Sequence, residues 1–95
     1  MLLEFSGEVI YWRGPSPYHF VRVPDDDGAE IRALASVLTY GWGVIPLTVR
    51  IGDTEWTTSL FPKDGTYLVP LKDMVRRAEA LEVGQPVDVA LELTV

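Results

Sequence analysis

Alternating apolar and polar positions run through most of this chain and set its elements. From Leu2 to Trp12, Leu3, Phe5, Val9 and Tyr11 share one face while Glu4, Ser6 and Glu8 share the other, which predicts a long strand. Gly7 at its middle predicts a bulge or bend of the kind barrels require. Tyr18 to Val23 reads as a second strand, stopped by Pro24. Val44 to Ile51 reads as a third, with Leu47, Val49 and Ile51 inward and Thr48 and Arg50 outward; Pro46 marks an edge or strand-end position. Glu55 to Phe61 returns as its hairpin partner across Gly52-Asp53. Thr66 to Leu71 is a fifth strand, entered through the turn Pro62-Lys63-Asp64-Gly65. The last strand has the cleanest alternation: Val87, Val89, Leu91, Leu93 and Val95 against Asp88, Ala90, Glu92 and Thr94.

Two segments switch to a helical period. Asp25-Asp26-Asp27-Gly28 offers N-cap candidates for a helix over 29–37, with Ile31, Leu34, Ala35 and Leu38 as its apolar stripe. A second helix is expected over 72–81, with Met74, Val75, Ala78 and Leu81 on one side. Strand, Val-Pro, helix therefore occurs twice, at Val23-Pro24 and at Val69-Pro70, a weak internal echo of a pseudo-twofold barrel. The expectation is one domain over 1–95: all-β, a small closed or split barrel of about six strands with two short helices. Its core is expected to contain Phe5, Val9, Phe20, Leu47, Val49, Ile51, Leu60, Val69, Val89 and Leu91.

Composition narrows the function classes. There is no cysteine, so no disulfide framework and no thiolate metal site. No segment approaches the ~20 apolar residues that span a bilayer, and the N-terminus, interrupted by Glu4 and Glu8, is not a secretory signal. The expectation is a cytoplasmic protein without a membrane partner. The net charge is −6, with scattered bases apart from Lys72, Arg76 and Arg77 on the second helix. Nucleic-acid binders need a basic footprint to neutralise phosphate, so no nucleic acid is expected.

Reaction chemistry is not legible. His19 is the one histidine, so multi-histidine metal sites are excluded, and its neighbours Tyr18 and Phe20 offer no nucleophile or carboxylate; a strand histidine is the simpler reading. No serine sits in a nucleophile elbow. Gly41-Trp42-Gly43 lacks the third glycine of a dinucleotide loop, and a strand follows it. Asp25-Asp26-Asp27 lacks the rest of a calcium loop and reads as helix capping. The expectation is no catalytic residue, metal or cofactor, and a non-enzyme in preference to an enzyme.

The binding candidates are aromatic and basic. Trp42 lies between glycines, where an indole is either displayed or caps a barrel end; Trp56 shares a face with Thr58 and Leu60 and reads as core or barrel mouth. Lys63 and Lys72 flank the fifth strand; Lys72, unhelpful to the helix it starts, reads first as a solvated lysine and second as a hold for an anionic guest. A site is therefore expected where the Tyr40–Gly43 connector meets the Lys63 turn and the helix start, built from Tyr40, Trp42, Lys63 and Lys72. Its guest would be a small anionic ligand or a protein partner, and the chain a monomer or homodimer.

Phe5, Phe20-Val21-Arg22-Val23-Pro24, Gly41-Trp42-Gly43, Val49-Arg50-Ile51-Gly52, Trp56-Thr57-Thr58-Ser59-Leu60, Asp64-Gly65-Thr66-Tyr67, Leu68-Val69-Pro70-Leu71-Lys72, Val75-Arg76-Arg77-Ala78 and Val83-Gly84 occur in this order. Together they resemble the domain of unknown function DUF1905 over nearly the whole chain, with Gln85 where that family usually has Asp. The resemblance implies a small β-barrel with one or two helices, of bacterial type, and no activity. Asp64 to Gly84 is more distantly similar to the double-split barrels of AbrB-type transcription factors, which bind DNA as dimers through basic loops and strands. That basic surface is missing here, so the similarity implies architecture more than function. Three readings stand: a non-catalytic binding module first, then an AbrB-like DNA binder, then a small enzyme with an illegible site.

Overall fold

The computed structural model describes residues 1–13, 17–38 and 45–93, excluding the side chains of residues 17, 18, 35–38, 45 and 46. Its elements are β1 (Leu2–Arg13), β2 (Pro17–Arg22), α1 (Asp25–Leu38), β3 (Ile45–Ile51), β4 (Thr54–Lys63), β5 (Thr66–Leu71), α2 (Asp73–Ala78) and β6 (Pro86–Leu93). The strands close into a barrel in the order β1-β2-β5-β4-β3-β6, every pairing antiparallel. The expected barrel is thus present, in its closed form. No described helix is long and apolar enough to cross a membrane.

Two long strands do the closing. β1 pairs with β6 from Leu2 to Glu8, then with β2 from Val9 to Arg13. β4 pairs with β3 from Thr54 to Leu60, then with β5 from Phe61 to Lys63. Each is therefore shared between a β1-β6-β3-β4 sheet and a β1-β2-β5-β4 sheet. Gly7 sits at the first changeover because a Cβ there would lie 2.5 Å from Val21 Cγ1 and 2.9 Å from the Arg22 carbonyl oxygen. What the structure requires of this glycine is the absence of a side chain.

The topology repeats. β1-β2-α1-β3 and β4-β5-α2-β6 make the same pairings, with β2 against β5 and β3 against β6 at the centre. The sequence echo is real but displaced. The two helices start at Asp25 and Asp73, so Val23-Pro24 corresponds to Leu71-Lys72 and not to Val69-Pro70.

The core is the inward face of every strand. Val9, Val21, Val49, Leu60, Val69, Leu91, Ile31 and Val75 are completely buried. The expected core holds, with Phe5 only partly buried against it and Phe20 buried outside that cluster. Trp56 is core. Tyr11, expected inward, is exposed, because β1 has run past the closed part of the barrel and its ring lies against His19.

Hairpin geometry follows the turn residues. Asp64 and Gly65 both have positive φ (49° and 83°), as the tight two-residue turn needs. The turn is confined to them, so Pro62 and Lys63, read as turn residues, extend β4. The Gly52-Asp53 turn has φ 59° at Gly52, and Glu79, just past the end of α2, packs on that glycine while accepting a 2.6 Å hydrogen bond from Thr54 Oγ1. Pro46 does not mark an edge, since closure leaves none; it pairs with Ser59 just before the β3–β6 register begins at Leu47.

Both helices depart from expectation at their ends. α1 begins earlier, with the three aspartates inside its first turn, where the helix dipole favours acids. Pro24 takes the capping position, its carbonyl accepting from Gly28 N–H at 2.8 Å. α2 is shorter, because Ala80 adopts φ 53° and Leu81 N–H bonds back to the Arg76 carbonyl at 2.9 Å, a Schellman closure.

Candidate binding face

The two outer faces of the barrel have opposite chemistry. On the β1-β6-β3-β4 sheet, the register sets Glu4 opposite Ala90, Ala90 opposite Arg50 and Arg50 opposite Glu55, in one row. Ser6 and Asp88 form the next row, Ser6 Oγ donating to the carboxylate at 2.5 Å. Glu4, Glu8, Glu55, Asp88 and Glu92 are all exposed here against the single cation Arg50. Arg50 donates to Glu55 at 2.8 Å, and that hydrogen bond is the first cause of its raised pKa. Small Ala90 leaves shallow grooves beside Arg50 that this acidic row lines.

The β1-β2-β5-β4 sheet presents Ile10, Trp12, Phe20, Leu68, Pro70 and Phe61 on its outer side, with Arg22 and Lys63. Phe20 pairs with Ile10 and Pro70, and Leu68 with Arg22 and Phe61. Phe20 and Leu68 are buried yet outside the barrel core, so they form the floor of this face. Trp12 and Phe61 stand 46% and 45% exposed on it, beside the buried Phe20 and Leu68. The Trp12 ring lies 6.3 Å from that of Phe20, and Lys63 Nζ sits 4.6 Å from the Trp12 centroid, a cation–π contact.

A recess of about 280 Å³ opens on this face where β4 leaves β5 to join β3. Pro70 belongs at this gap. Val23 N–H bonds to the Tyr67 carbonyl at 3.0 Å, and alternation along the β2–β5 register makes Phe20–Pro70 a non-hydrogen-bonded pair. Residue 70 would point an N–H toward β4, which is no longer paired there, so proline removes a donor that has no strand acceptor.

Of the expected site residues, Tyr40 and Trp42 lie outside the described residues. Lys63 pairs with Thr66 at the start of β5, and Lys72 follows Leu71 at its end; among the described residues each lines a recess of its own. What relates them is Phe20: it lines the recess with Lys72 and neighbours the ring that carries Lys63. Lys63 also lies 3.9 Å from Asp64, whereas Lys72 makes no ion pair among the described residues. The helix start adds little anion affinity, because six residues sum to a short dipole. Trp12, Phe20, Phe61, Pro70 and Thr58 were not singled out as site residues from sequence. Their signal is the absence of alternation in Tyr67-Leu68-Val69-Pro70-Leu71, apolar on both faces where the last strand is polar on one.

His19 lies at the far end of β2, half-buried, its ring 4.9 Å from Tyr11. Burial lowers its pKa first, Arg76 lowers it further, and Asp73 opposes both. Among the described residues no three His, Asp or Glu side chains are grouped to hold a metal ion. The chemistry this face offers is that of binding: aromatic walls and two ammonium groups, with Asp64 at one rim and Asp25, held by Arg22 at 2.9 Å, at another among the described residues.

Comparison with known proteins places the chain. The family described as "Domain of unknown function (DUF1905)" matches residues 5–91, and the chain belongs to that family. No curated protein matches it.

Proposed function

We propose that this protein is a non-catalytic binding module that recognises its partner through the outer face of the β1-β2-β5-β4 sheet. The observation that carries this reading is the segregation of the barrel's two outer faces. One is a solvated acidic surface; the other exposes Trp12 and Phe61 over a buried apolar floor. Tryptophan and tyrosine dominate binding hot spots because they bury large area at low entropic cost. Here the strands hold the aromatic side chains on a rigid sheet, so little ordering is needed on binding. Lys63 and Lys72 flank the face and favour partners bearing negative charge.

The test is a screen of the isotope-labelled protein by amide NMR with a mixed library of neutral, acidic and basic fragments. Shifts should cluster on Ile10, Trp12, Phe20, Phe61 and Leu68. Clustering around Glu4, Arg50 and Glu55, or no clustering, would contradict the assignment. Trp12→Ala and Phe61→Ala should weaken the shifts without unfolding the barrel, since both side chains lie outside its core.

A further inference from the structure

We infer that the recess at the parting of β4 and β5 binds a small carboxylate with an apolar body, such as an aromatic or branched aliphatic acid, with Lys72 as its counter-ion. The inference rests on the binding face proposed above and names the chemistry of one place on it. Phe20, Thr58, Phe61, Pro70, Leu71 and Lys72 line the recess. Four of these are apolar side chains that would strip water from a hydrocarbon body. The volume, about 280 Å³, lies near the lower end of small-molecule sites, roughly 300 Å³. One ring or one branched chain fits that scale, and a nucleotide does not.

The polar groups choose the head. Lys72 is exposed and unpaired among the described residues. The acid next to it, Asp73, is taken by Arg76 at 3.4 Å. The Thr58 side chain is half-buried and makes no hydrogen bond among the described residues, so its hydroxyl is a second donor. Pro70 contributes no N–H. One ammonium and one hydroxyl match the two oxygens of a carboxylate; a phosphate dianion would be left with unmet acceptors. Among the described residues no acid lines the recess, so an amine finds no partner in that lining.

The test is titration of the labelled protein with benzoate, 4-methylpentanoate, benzamide and inorganic phosphate. Both acids should give saturable shifts at Phe20, Thr58, Leu71 and Lys72. Benzamide should bind about tenfold more weakly, the worth of one charge-assisted contact, and phosphate should leave these signals in place. Lys72→Met should bring benzoate down to the benzamide affinity and leave benzamide unchanged. Equal binding of benzoate and benzamide, indifference to Lys72→Met, or no shift up to about 10 mM acid would overturn the inference. The two proposals fail separately. Fragments that shift Trp12 and Phe61 but not Thr58 and Leu71 would sink the carboxylate site and keep the face. Absence of shifts at both places would sink both.

Discussion

Replacing Gly28 by alanine should destabilise this protein, although helix propensity alone says the reverse. Gly28 lies inside α1, and alanine is worth up to about 1 kcal/mol more than glycine in a helix interior. A Cβ on Gly28, however, would overlap Thr66 Oγ1 and lie 3.0 Å from Thr66 Cβ. That threonine cannot step aside freely. It is 2% exposed, and its hydroxyl donates to the Val23 carbonyl at 2.9 Å. Rotating it away leaves a buried acceptor without that donor, about 1–3 kcal/mol. Moving α1 off β5 instead disturbs Ile31, completely buried in the core. Set against the propensity gain, the lost hydrogen bond leaves Gly28→Ala about 0–2 kcal/mol less stable net. The melting temperature should fall by about 4–8 °C per kcal/mol for a domain of this size. Urea unfolding followed by tryptophan fluorescence reads the change as a lower midpoint at constant slope. The diagnostic is a double-mutant cycle. With Thr66→Ala in place the overlap with Oγ1 is gone and the 3.0 Å approach to the residue 66 Cβ remains, so Gly28→Ala should cost clearly less than in the parent. A Gly28→Ala variant more stable than the parent, or equal costs in both backgrounds within about 0.5 kcal/mol, would refute the contact as the cause.

Ala80→Gly should stabilise by about 0.5–1 kcal/mol, since residue 80 closes α2 at φ 53°, where alanine is strained and glycine is not; a lower urea midpoint would count against this. For His19 the folded state has the lower pKa, so the unfolded chain binds the extra proton. The stability it contributes is present above the unfolded value near 6.5 and is lost as pH falls from there. His19→Gln should flatten that loss in melting curves taken across the window, and an unchanged pH dependence would assign it to other groups. Duplex DNA should not shift in a mobility assay at physiological salt, since the exposed acids of one sheet outnumber its single arginine. Binding that falls steeply with added salt would promote the AbrB-like reading.

The strand pattern was legible because inward positions are apolar at every second residue, most cleanly from Val87 to Leu93. The tight turns were legible because Gly52 and Gly65 do what only such residues do cheaply. Three features were not. The changeovers of β1 and β4 between sheets depend on which strand lies alongside, and local pattern is silent on that; Gly7 hinted at one. The start of α1 was hidden because aspartates serve as caps and as first-turn residues alike. The proposed face was hidden because its residues lie on strands, where apolar side chains read as core. Phe20 and Phe61 stand out only once the register puts them on the outer side.

The repeated topology has a consequence for what joins the molecule together. Gly52-Asp53 is the point where one β-β-α-β passage ends and its counterpart begins. β1 needs β6, β2 needs β5, and β3 needs both β4 and β6. Neither passage can wall off a core alone: Val21 faces Val69, and Val49 faces Leu91, each pair across the divide. The peptide link at this turn therefore acts chiefly as a tether that keeps two complementary pieces at high local concentration. Fragments 1–52 and 53–95 should be unfolded apart and should recover the native near-ultraviolet dichroism when mixed. Shortening the turn should stop the two pieces of one chain from closing on each other, so that two chains trade pieces and form a dimer of ordinary barrels. A fragment that folds by itself would show that the two passages are less dependent on one another than their pairings imply.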